Sequence, residues 1–270
     1  MADDRYTHGH HDSVLRGHRW RTAENSAAYL LHHLRPGQSV LDVGCGPGTI
    51  TADFAPLVAP GPVIGLDRSS GVLEAATAQF AGPPWENLSF RAGDVYHLEM
   101  EDDSVDVVHA HQVLQHLTDP VSALEEMRRV TREGGLLAVR DADYAAFLWA
   151  PRDPWLDRWM EIYHEVTRRN DAEADGGRFL PAWVSAAGWR DLSVSSSTWT
   201  FYSDEDREWW AGQWADRVRL SSFADQAREY GVATEDDLEE IARAFGRWRD
   251  APGAVFVLTH VEVLARKGVH

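Results

Sequence analysis

Apolar positions along the chain fall into short runs, which stretches of helical periodicity separate. This alternation is typical of a doubly wound α/β sheet. The runs predict strands at 39–43, 62–66, 88–92, 105–110, 135–140, 191–200 and 254–264. The periodic stretches predict helices at 20–34, 49–58, 69–79, 119–131, 152–170 and 180–187. The alternation within the last run favours an antiparallel final strand beside an otherwise parallel sheet.

One further stretch departs from this simple pattern. Residues 204–249, between the sixth and seventh predicted strands, contain two or three helical segments. An insertion at this point lies beside the carboxyl ends of the strands, where open α/β sheets bind their ligands. We therefore expect a domain over 36–270 whose site is bounded by this insertion, by cap helices within 144–175 and by a helical N-terminal lid over 1–35.

The first predicted strand runs directly into a glycine-rich turn. Residues 40–49 are Val-Leu-Asp-Val-Gly-Cys-Gly-Pro-Gly-Thr. Glycines at 44, 46 and 48 let the backbone turn sharply and approach a ligand closely, because a Cβ there would clash or oppose a positive φ. The second predicted strand leads into Asp67, where a carboxylate is placed to accept both hydroxyls of a ribose. The sequence therefore predicts a nucleotide-binding loop.

The details of this loop indicate which nucleotide it binds. The dinucleotide pattern is Gly-x-Gly-x-x-Gly with a pyrophosphate at the helix N-terminus, whereas this loop is Gly-Cys-Gly-Pro-Gly. Asp42 precedes it, and an anion there would repel a pyrophosphate. A cationic ligand, such as one that carries an ammonium and a sulfonium, fits this position better.

The loop is similar to motif I of the class I S-adenosylmethionine-dependent methyltransferases, and further matches follow in order. Asp67 matches the ribose-binding acid of that family, and 92–95 matches its adenine-contacting Gly-Asp segment. Residues 104–117 match the fourth strand with the loop after it, and 129–137 match the turn before the fifth strand. Within the family, the chain most resembles the branch that includes the ubiquinone and menaquinone C-methyltransferases.

The resemblance covers roughly residues 36–145 and implies a Rossmann-like seven-stranded sheet, mostly parallel, whose last strand is antiparallel. It implies S-adenosyl-L-methionine as the methyl donor, S-adenosyl-L-homocysteine as the product and direct in-line displacement by the acceptor. The cofactor-binding residues that it implies are Asp42, Gly44, Cys45, Gly46, Gly48, Thr49, Asp67, Arg68, Asp94, Val95, His111 and Gln112. We interpret Cys45 as a small packed residue of the loop. For His111, we favour contact with the cofactor over a catalytic role.

Charge and composition limit the classes of partner that the chain is expected to bind. The chain has 26 Lys plus Arg against 43 Asp plus Glu, a formal net charge of −17. This charge disfavours a nucleic-acid partner except at a local basic patch. A single cysteine cannot form an internal disulfide, and no apolar run approaches the length of a membrane span. We expect a cytoplasmic enzyme, monomeric or homodimeric, without a membrane partner.

The N-terminal segment carries Tyr6, His8, His10 and His11, and then a basic group: Arg16, His18, Arg19 and Arg21. Our preferred interpretation is a lid that brings Tyr6 and one of His8, His10 or His11 to the methyl group, with the histidine as general base. Three alternatives stay open: a solvated tail, a metal site, and a site for an anionic acceptor such as a carboxylate or phosphate. We expect no metal, because the closely spaced histidines offer no evident third ligand.

Other candidates lie after the fourth and fifth predicted strands and in the cap. His116 is expected to anchor its loop, whereas Asp141 and Asp143 either face the acceptor or form a solvated turn. The chain has twelve tryptophans, and those of the cap-forming regions are Trp149, Trp155, Trp159, Trp209, Trp210 and Trp214. Each one alone is best explained by packing, but their concentration suggests a pocket for an apolar or aromatic acceptor.

The sequence therefore predicts an enzyme that methylates a small, apolar or aromatic metabolite. Two other functions remain open: methylation of RNA or protein, and a non-catalytic regulator that binds S-adenosylmethionine. The net charge disfavours the first, and turnover that depends on an acceptor would exclude the second.

Overall fold

The computed structural model describes residues 4–9 and 11–268, and within them the apolar runs form one sheet of eight strands. The strands are β1 (Val40–Val43), β2 (Val63–Asp67), β3 (Leu88–Ala92), β4 (Val105–His111), β5 (Thr131–Ala142), β6 (Leu148–Ala150), β7 (Arg190–Phe201) and β8 (Val255–Arg266). The predicted α/β class is confirmed, with one strand more than expected.

The strand order places a crevice at the centre of the sheet. The order is β3-β2-β1-β4-β5-β8, in which β1 to β5 are parallel and β8 is antiparallel to β5. β7 pairs with one edge of β8, so β5 and β6 share the other edge. β1 and β4 are buried throughout, as expected for parallel strands covered on both faces. The order reverses between β1 and β4, and ligands of such sheets bind at the carboxyl ends of the strands at this point.

Helices cover the sheet and extend beyond it. They are α1 (Asp12–Arg19), α2 (Ala23–Ser26), α3 (Ala28–Leu31), α4 (Thr49–Val58), α5 (Ser70–Gln79), α6 (Pro120–Val130), α7 (Pro154–Arg169), α8 (Gly176–Ala186), α9 (Asp204–Leu220), α10 (Ser222–Glu229) and α11 (Glu235–Asp250). The 204–249 insertion is thus three helices, α9 to α11, between β7 and β8.

The single helix predicted over 20–34 is wrong. The Thr22 side chain accepts a hydrogen bond from the Asn25 backbone and so starts a new helix, α2. Ala27 then leaves helical geometry at φ −138°, which separates α2 from α3. The earlier helix, α1, lies before the predicted range, and the exposed His11 is its N-cap.

Two other differences have local causes. β6 has three residues, too few for a period in hydrophobicity to show. α8 begins at Gly176 rather than near 180, and the glycines that suggest a loop here allow close packing instead. A Cβ on Gly177 would lie 2.8 Å from the Asp141 carbonyl oxygen.

The cap has its own apolar core, separate from the two clusters that cover the faces of the sheet. Side chains of α7, α9, α10 and α11 meet there around the buried rings of Trp159, Trp214 and Phe245. The cap is therefore held by burial of large aromatic surfaces, each of which stabilises a fold by about 1.5–3 kcal/mol or more. None of the described helices is both long and apolar enough to cross a membrane.

Candidate functional site

A cavity of about 470 Å³ opens where β1 and β4 end. The sheet side is lined by the loop after β1, the end of β2 with the residues after it, the segment after β3 and the loop after β4. The opposite side is formed by residues from outside the sheet, which are Asp4, Tyr6, His8, Leu15, His18, Arg21 and Arg217. Tyr144, just after β5, completes the wall.

The glycine turn has the backbone that its sequence requires. Gly44, Gly46 and Gly48 have φ of 66°, 52° and 76°, in the left-handed region that favours glycine. A Cβ on Gly44 would lie 2.4 Å from a methyl carbon of Val113, and one on Gly48 would lie 2.5 Å from the Phe90 ring. The turn therefore depends on glycine for both conformation and space.

Asp67 at the end of β2 is tied to this turn. Its Oδ2 accepts the Gly46 N–H at 2.9 Å, and its Oδ1 accepts the Ser69 N–H at 3.0 Å. A carboxylate oxygen can accept more than one hydrogen bond, so both oxygens keep capacity for further donors. Asp67 is only half-buried and lines the cavity.

Asp42 is held more tightly than the sequence indicated. Its Oδ2 accepts the Thr51 hydroxyl at 2.5 Å, and its Oδ1 is 2.7 Å from Nδ1 of His109. Asp42 is 3% exposed, and it still reaches the cavity wall. These hydrogen bonds therefore hold the Asp42 carboxylate in one position next to the glycine turn.

The remaining residues expected to bind the cofactor are mostly brought together. Those that line the cavity are Asp42, Gly44, Cys45, Gly46, Thr49, Asp67, Arg68, Asp94, Val95, His111 and Gln112. Gly48 does not line it, since it occupies the N-cap of α4 and packs against Phe90. Burial raises the pKa of the Cys45 thiol well above its ordinary value, so this thiol stays protonated, as expected for a packed residue.

Gln112 joins the sheet side to the N-terminal side. It has a φ of 53°, unusual for a residue other than glycine, and its backbone N–H donates to the Arg140 carbonyl at 2.7 Å. Its Oε1 accepts from Nη2 of Arg21 at 2.5 Å, and its Nε2 lies 2.8 Å from Nε2 of His260. Strained backbone of this kind is frequent at functional sites.

The N-terminal segment 4–9 crosses the cavity as a strap. Asp4 accepts the Thr118 N–H at 2.9 Å, which fastens the strap to the loop after β4. Asn170 at the end of α7 donates to the Thr7 hydroxyl at 3.1 Å, and Gln226 of α10 donates to the Tyr6 carbonyl at 3.1 Å. The strap is therefore fixed at one end to the sheet domain and along its length to the cap.

Two of the predicted catalytic candidates in this strap face the cavity. Tyr6 is half-buried, and burial raises its pKa to about 12. His8 is 4% exposed, its Nε2 is 3.0 Å from the Tyr163 hydroxyl, and its Nδ1 has no hydrogen-bond partner in the described residues. Burial lowers the pKa of His8 well below 6.5, so the imidazole is neutral at physiological pH.

Comparison with known proteins shows the family to which this chain belongs. Residues 34–187 match a family model described as a methyltransferase domain. The uncharacterized methyltransferase C1B3.06c of Schizosaccharomyces pombe is 31% identical over 97% of this chain and 96% of its own length. The chain belongs to the class I S-adenosylmethionine-dependent methyltransferases.

Other relatives of the methyltransferase agree with this. The demethylmenaquinone methyltransferase of Renibacterium salmoninarum is 30% identical over 58% of this chain and 69% of its own. Phosphoethanolamine N-methyltransferase 2 of Haemonchus contortus, solved in complex with S-adenosyl-L-methionine, has a TM-score of 0.61 at 14% identity and covers 96% of this chain and 58% of that chain. The second comparison shows a shared fold.

Several sequence predictions for this methyltransferase need correction. His11 is exposed, does not line the cavity and caps α1, where its Nδ1 accepts the Ser13 N–H. The expectation for His10 lies outside the described residues. Asp141 and Asp143 are both buried and neither lines the cavity; Asp143 instead forms a double hydrogen bond with Arg178. His116 contributes to the cavity wall, in addition to any role in its loop.

The prediction that the tryptophans of the cap line the acceptor pocket is also wrong. No tryptophan lines the cavity, although all twelve lie within the described residues. The six named from the sequence pack in or against the cap core: Trp149, Trp155, Trp159, Trp209, Trp210 and Trp214. The rings that do line the cavity all carry polar atoms; they are those of Tyr6, His8, His18, His111, His116 and Tyr144.

Sequence reasoning missed Tyr144 and Arg217, and one signal for Arg217 was present. Trp210, Trp214 and Arg217 follow a spacing of four and three residues, which places them on one face of α9. Because the two tryptophans mark the buried face, Arg217 on the same face had to be buried as well. Tyr144 follows β5 in a short turn and had no comparable signal.

No group of three or more His, Cys, Asp or Glu side chains in residues 4–9 and 11–268 is arranged to hold a metal ion.

Proposed function

We propose that this methyltransferase methylates a small metabolite that binds in the half of the cavity lined by Tyr6, His8, His116 and Tyr144. The observation that carries the proposal is the two-sided wall of the cavity, with the glycine turn on one side and residues of the strap, α1 and α9 on the other. About 470 Å³ lies within the usual size of a small-molecule site. Because the cofactor takes part of this space, a compact acceptor fits better than a polymer.

The cofactor side of the cavity fits S-adenosylmethionine. We assign Asp67 to the ribose hydroxyls, the backbone around Gly44 and Gly46 to the amino-acid part, and Asp94 with Val95 to the adenine. The backbone at Gly46 supports this. Its φ is positive, and a Cβ there would meet no atom closer than 3.9 Å, so this side of the turn faces open space. When bound, the cofactor supplies a methyl group that its sulfonium has already activated.

The chain has three tasks on the acceptor side: to orient the acceptor, to exclude water and to take up a proton where the acceptor loses one. The strap and α9 cover the cavity, which supports the second task. His8 supports the third: in the tautomer whose Nε2–H donates to the Tyr163 oxygen, Nδ1 has a lone pair, and it has no hydrogen-bond partner in the described residues. The polar rings favour a planar acceptor with polar groups over a purely apolar one.

The test uses methyl-deuterated S-adenosylmethionine. The purified protein and the labelled cofactor are added to an extract of cells whose genome encodes this protein. The extract is then separated into small molecules, protein and RNA for mass spectrometry. We expect the label in one small metabolite. Label in protein or RNA would overturn the proposal and make the cap a docking surface for a macromolecule.

A control for background labelling is the same extract with a protein in which the glycine turn is disrupted, Gly44→Val. The left-handed φ of Gly44 and the 2.4 Å approach to Val113 exclude a larger side chain there. Label that appears equally with both proteins would come from enzymes of the extract. Binding of S-adenosylhomocysteine by the native protein without acceptor-dependent labelling would instead indicate a non-catalytic regulator.

A further inference from the structure

Tyr163 of α7 connects the strap to the residue that follows β5. Its hydroxyl lies 3.0 Å from Nε2 of His8, and a second hydrogen bond joins it to the hydroxyl of Tyr144. The Tyr163 ring is fully buried, and it stacks on the Tyr144 ring at 4.0 Å between centroids and on the His8 ring at 5.4 Å. His8 and Tyr144 line the cavity, whereas Tyr163 does not. The three side chains therefore form a series of hydrogen bonds that begins and ends at the cavity wall.

Packing alone does not account for the bond to His8. A buried tyrosine hydroxyl needs a hydrogen-bond partner, and Tyr144 already provides one. The bond to His8 is additional, and the other nitrogen of that ring, Nδ1, is buried without a partner in the described residues. A buried polar atom without a partner destabilises a fold. Such an atom in a ring of the cavity wall indicates that a ligand uses it.

The number of available protons indicates the direction of these hydrogen bonds. Burial raises the pKa of Tyr163 well above 10, so its hydroxyl keeps one proton, which it donates either to Tyr144 or to Nε2 of His8. In the second case the neutral imidazole has its proton on Nδ1, which leaves a buried N–H without an acceptor in the described residues. In the first case Nε2–H donates to Tyr163, and Nδ1 has a lone pair instead. Buried N–H groups without an acceptor are rarer in folded proteins than acceptors without a donor, so the first case is favoured.

We propose that Tyr163 is a positioning residue, whose oxygen accepts the Nε2–H of His8 and so keeps the Nδ1 lone pair free for a proton of the methyl acceptor. The inference rests on the proposed function, and it specifies an acceptor that loses a proton when it is methylated. His8 Nδ1 takes this proton, and the electron pair left on the acceptor atom forms the bond to the methyl carbon. The pair of the broken carbon–sulfur bond stays on sulfur.

Tyr163 also favours the protonated product of this step. The imidazolium that forms on His8 keeps its Nε2–H on the Tyr163 oxygen, and a hydrogen bond from a charged donor is stronger than one from a neutral donor. The bond therefore strengthens as the proton moves to Nδ1. An interaction that is stronger in the transition state than in the ground state accelerates the reaction.

The first test determines the tautomer of His8 and needs no acceptor. Long-range proton–nitrogen NMR spectra of the complete protein, with its histidines labelled with nitrogen-15, separate ring nitrogens that carry a proton from those that do not. The signals that are missing in His8→Asn identify His8. At pH 7.5 we expect the proton on Nε2. A proton on Nδ1 in the native protein would overturn the inference, even where label transfer shows that the protein is a methyltransferase.

Two variants change this tautomer if the series of hydrogen bonds is correct. Without the Tyr144 hydroxyl, the Tyr163 proton has only Nε2 of His8 as an acceptor in the described residues, so Tyr144→Phe should move the His8 proton to Nδ1. Tyr163→Phe removes the partner of Nε2 and should give a mixture of both tautomers. The control is Tyr29→Phe, which removes a buried hydroxyl that has no partner in the described residues and does not line the cavity. One and the same tautomer in all three variants would overturn the inference.

The second test measures label transfer from methyl-deuterated S-adenosylmethionine to the small-molecule fraction of the extract. At saturating cofactor, Tyr163→Phe should lower the initial rate about 10- to 100-fold, as for loss of a hydrogen bond to a charged group. Its affinity for S-adenosylhomocysteine should change less than about threefold, and Tyr29→Phe should change the rate less than about twofold. A native rate in Tyr163→Phe would overturn the inference alone, whereas absence of label with the native protein would overturn the proposed function as well. If Tyr163→Phe fails to fold, the native spectrum and Tyr144→Phe still decide between the two tautomers.

Discussion

At the scale of single residues, Asp67 offers the sharpest test of the cofactor side. Its two oxygens already accept the Gly46 and Ser69 backbone N–H groups, which fixes the carboxylate for two further donors. Asp67→Ala should weaken binding of S-adenosylhomocysteine by about 1–3 kcal/mol, because the ribose loses its hydrogen bonds. Isothermal calorimetry measures this, with Glu74→Ala on the exposed side of α5 as a control of equal charge change. Equal affinities for Asp67→Ala and the native protein would exclude the ribose assignment.

His8 and His11 form a matched pair for the acceptor side. His8 faces the cavity with a neutral ring, whereas His11 is exposed and caps α1. His8→Asn should lower the rate of methyl transfer by about 10²- to 10⁴-fold, the usual contribution of a general base. His11→Asn should leave the rate unchanged, since asparagine is also a good N-cap.

The measurement for this pair is single-turnover label transfer at saturating cofactor. Binding of S-adenosylhomocysteine should stay within about threefold in both variants, which shows that the cofactor side is intact. Equal rates for His8→Asn and His11→Asn would exclude His8 as the base.

At the scale of elements, the strap depends on Asn170 at the end of α7. Asn170 is 5% exposed; it donates to Thr7 and accepts from the Tyr230 hydroxyl at 2.6 Å. Asn170→Ala should cost about 1–3 kcal/mol, because it leaves buried polar groups without a partner. Amide hydrogen exchange in residues 4–9 should become faster. Arg168→Gln is the comparison, because its exposed pair with Glu165 on the same helix contributes little to stability. Equal exchange in the two variants would contradict a fastening role for Asn170.

The sheet and its turns were predictable because their causes are local. A strand that ends in alternate glycines needs only its own sequence to require the backbone found at Gly44, Gly46 and Gly48. The orientation of Asp42 towards His109 was not predictable, because it joins β1 to β4 across the sheet. The contacts of Arg217 were not predictable either, although its burial was, because they are set by how α9 packs on α1. The tryptophans were misassigned for this reason too: burial was evident from their type, but which surface they faced was not.

At the scale of the whole molecule, part of the cavity wall is positively charged although the chain as a whole is negatively charged. The net charge is −17, yet the described wall of the acceptor half presents two arginines. The overall field slows the approach of an anion and rejects polyanions such as RNA. Local cations in a cavity of low dielectric still retain a small anionic group, such as the carboxylate of the cofactor, once it has entered. The net charge therefore favours a small metabolite over a nucleic acid.

The buried histidines predict a steep loss of stability in acid. Burial lowers the pKa of His8, His18, His111 and His260 well below 6.5, and that of His116 to about 3. In the unfolded chain these groups titrate near 6.5. The unfolded state therefore binds more protons than the folded state as the pH falls through this value, and the free energy of unfolding decreases. Each histidine contributes a loss of about 1 kcal/mol between pH 7 and pH 5.5.

Asp141 acts in the opposite direction. Burial raises its pKa to about 7, so the folded state binds a proton that the unfolded state releases above pH 4. Its contribution to stability is present at low pH and decreases as the pH rises through 7, which returns about 1–2 kcal/mol between pH 7 and pH 5.5. The histidines outnumber it, so the net change on acidification is a loss.

Urea unfolding at pH 8, 7, 6 and 5.5, followed by tryptophan fluorescence, measures the balance. We expect the free energy of unfolding to fall by several kcal/mol from pH 7 to pH 5.5, and to fall more steeply in Asp141→Asn, which lacks the opposing group. His116→Gln should reduce the fall by about 1 kcal/mol, whereas His32→Gln, at an exposed site, should leave it unchanged. A stability that is level between pH 7 and pH 5.5 would show that the cavity histidines can take up protons in the folded state.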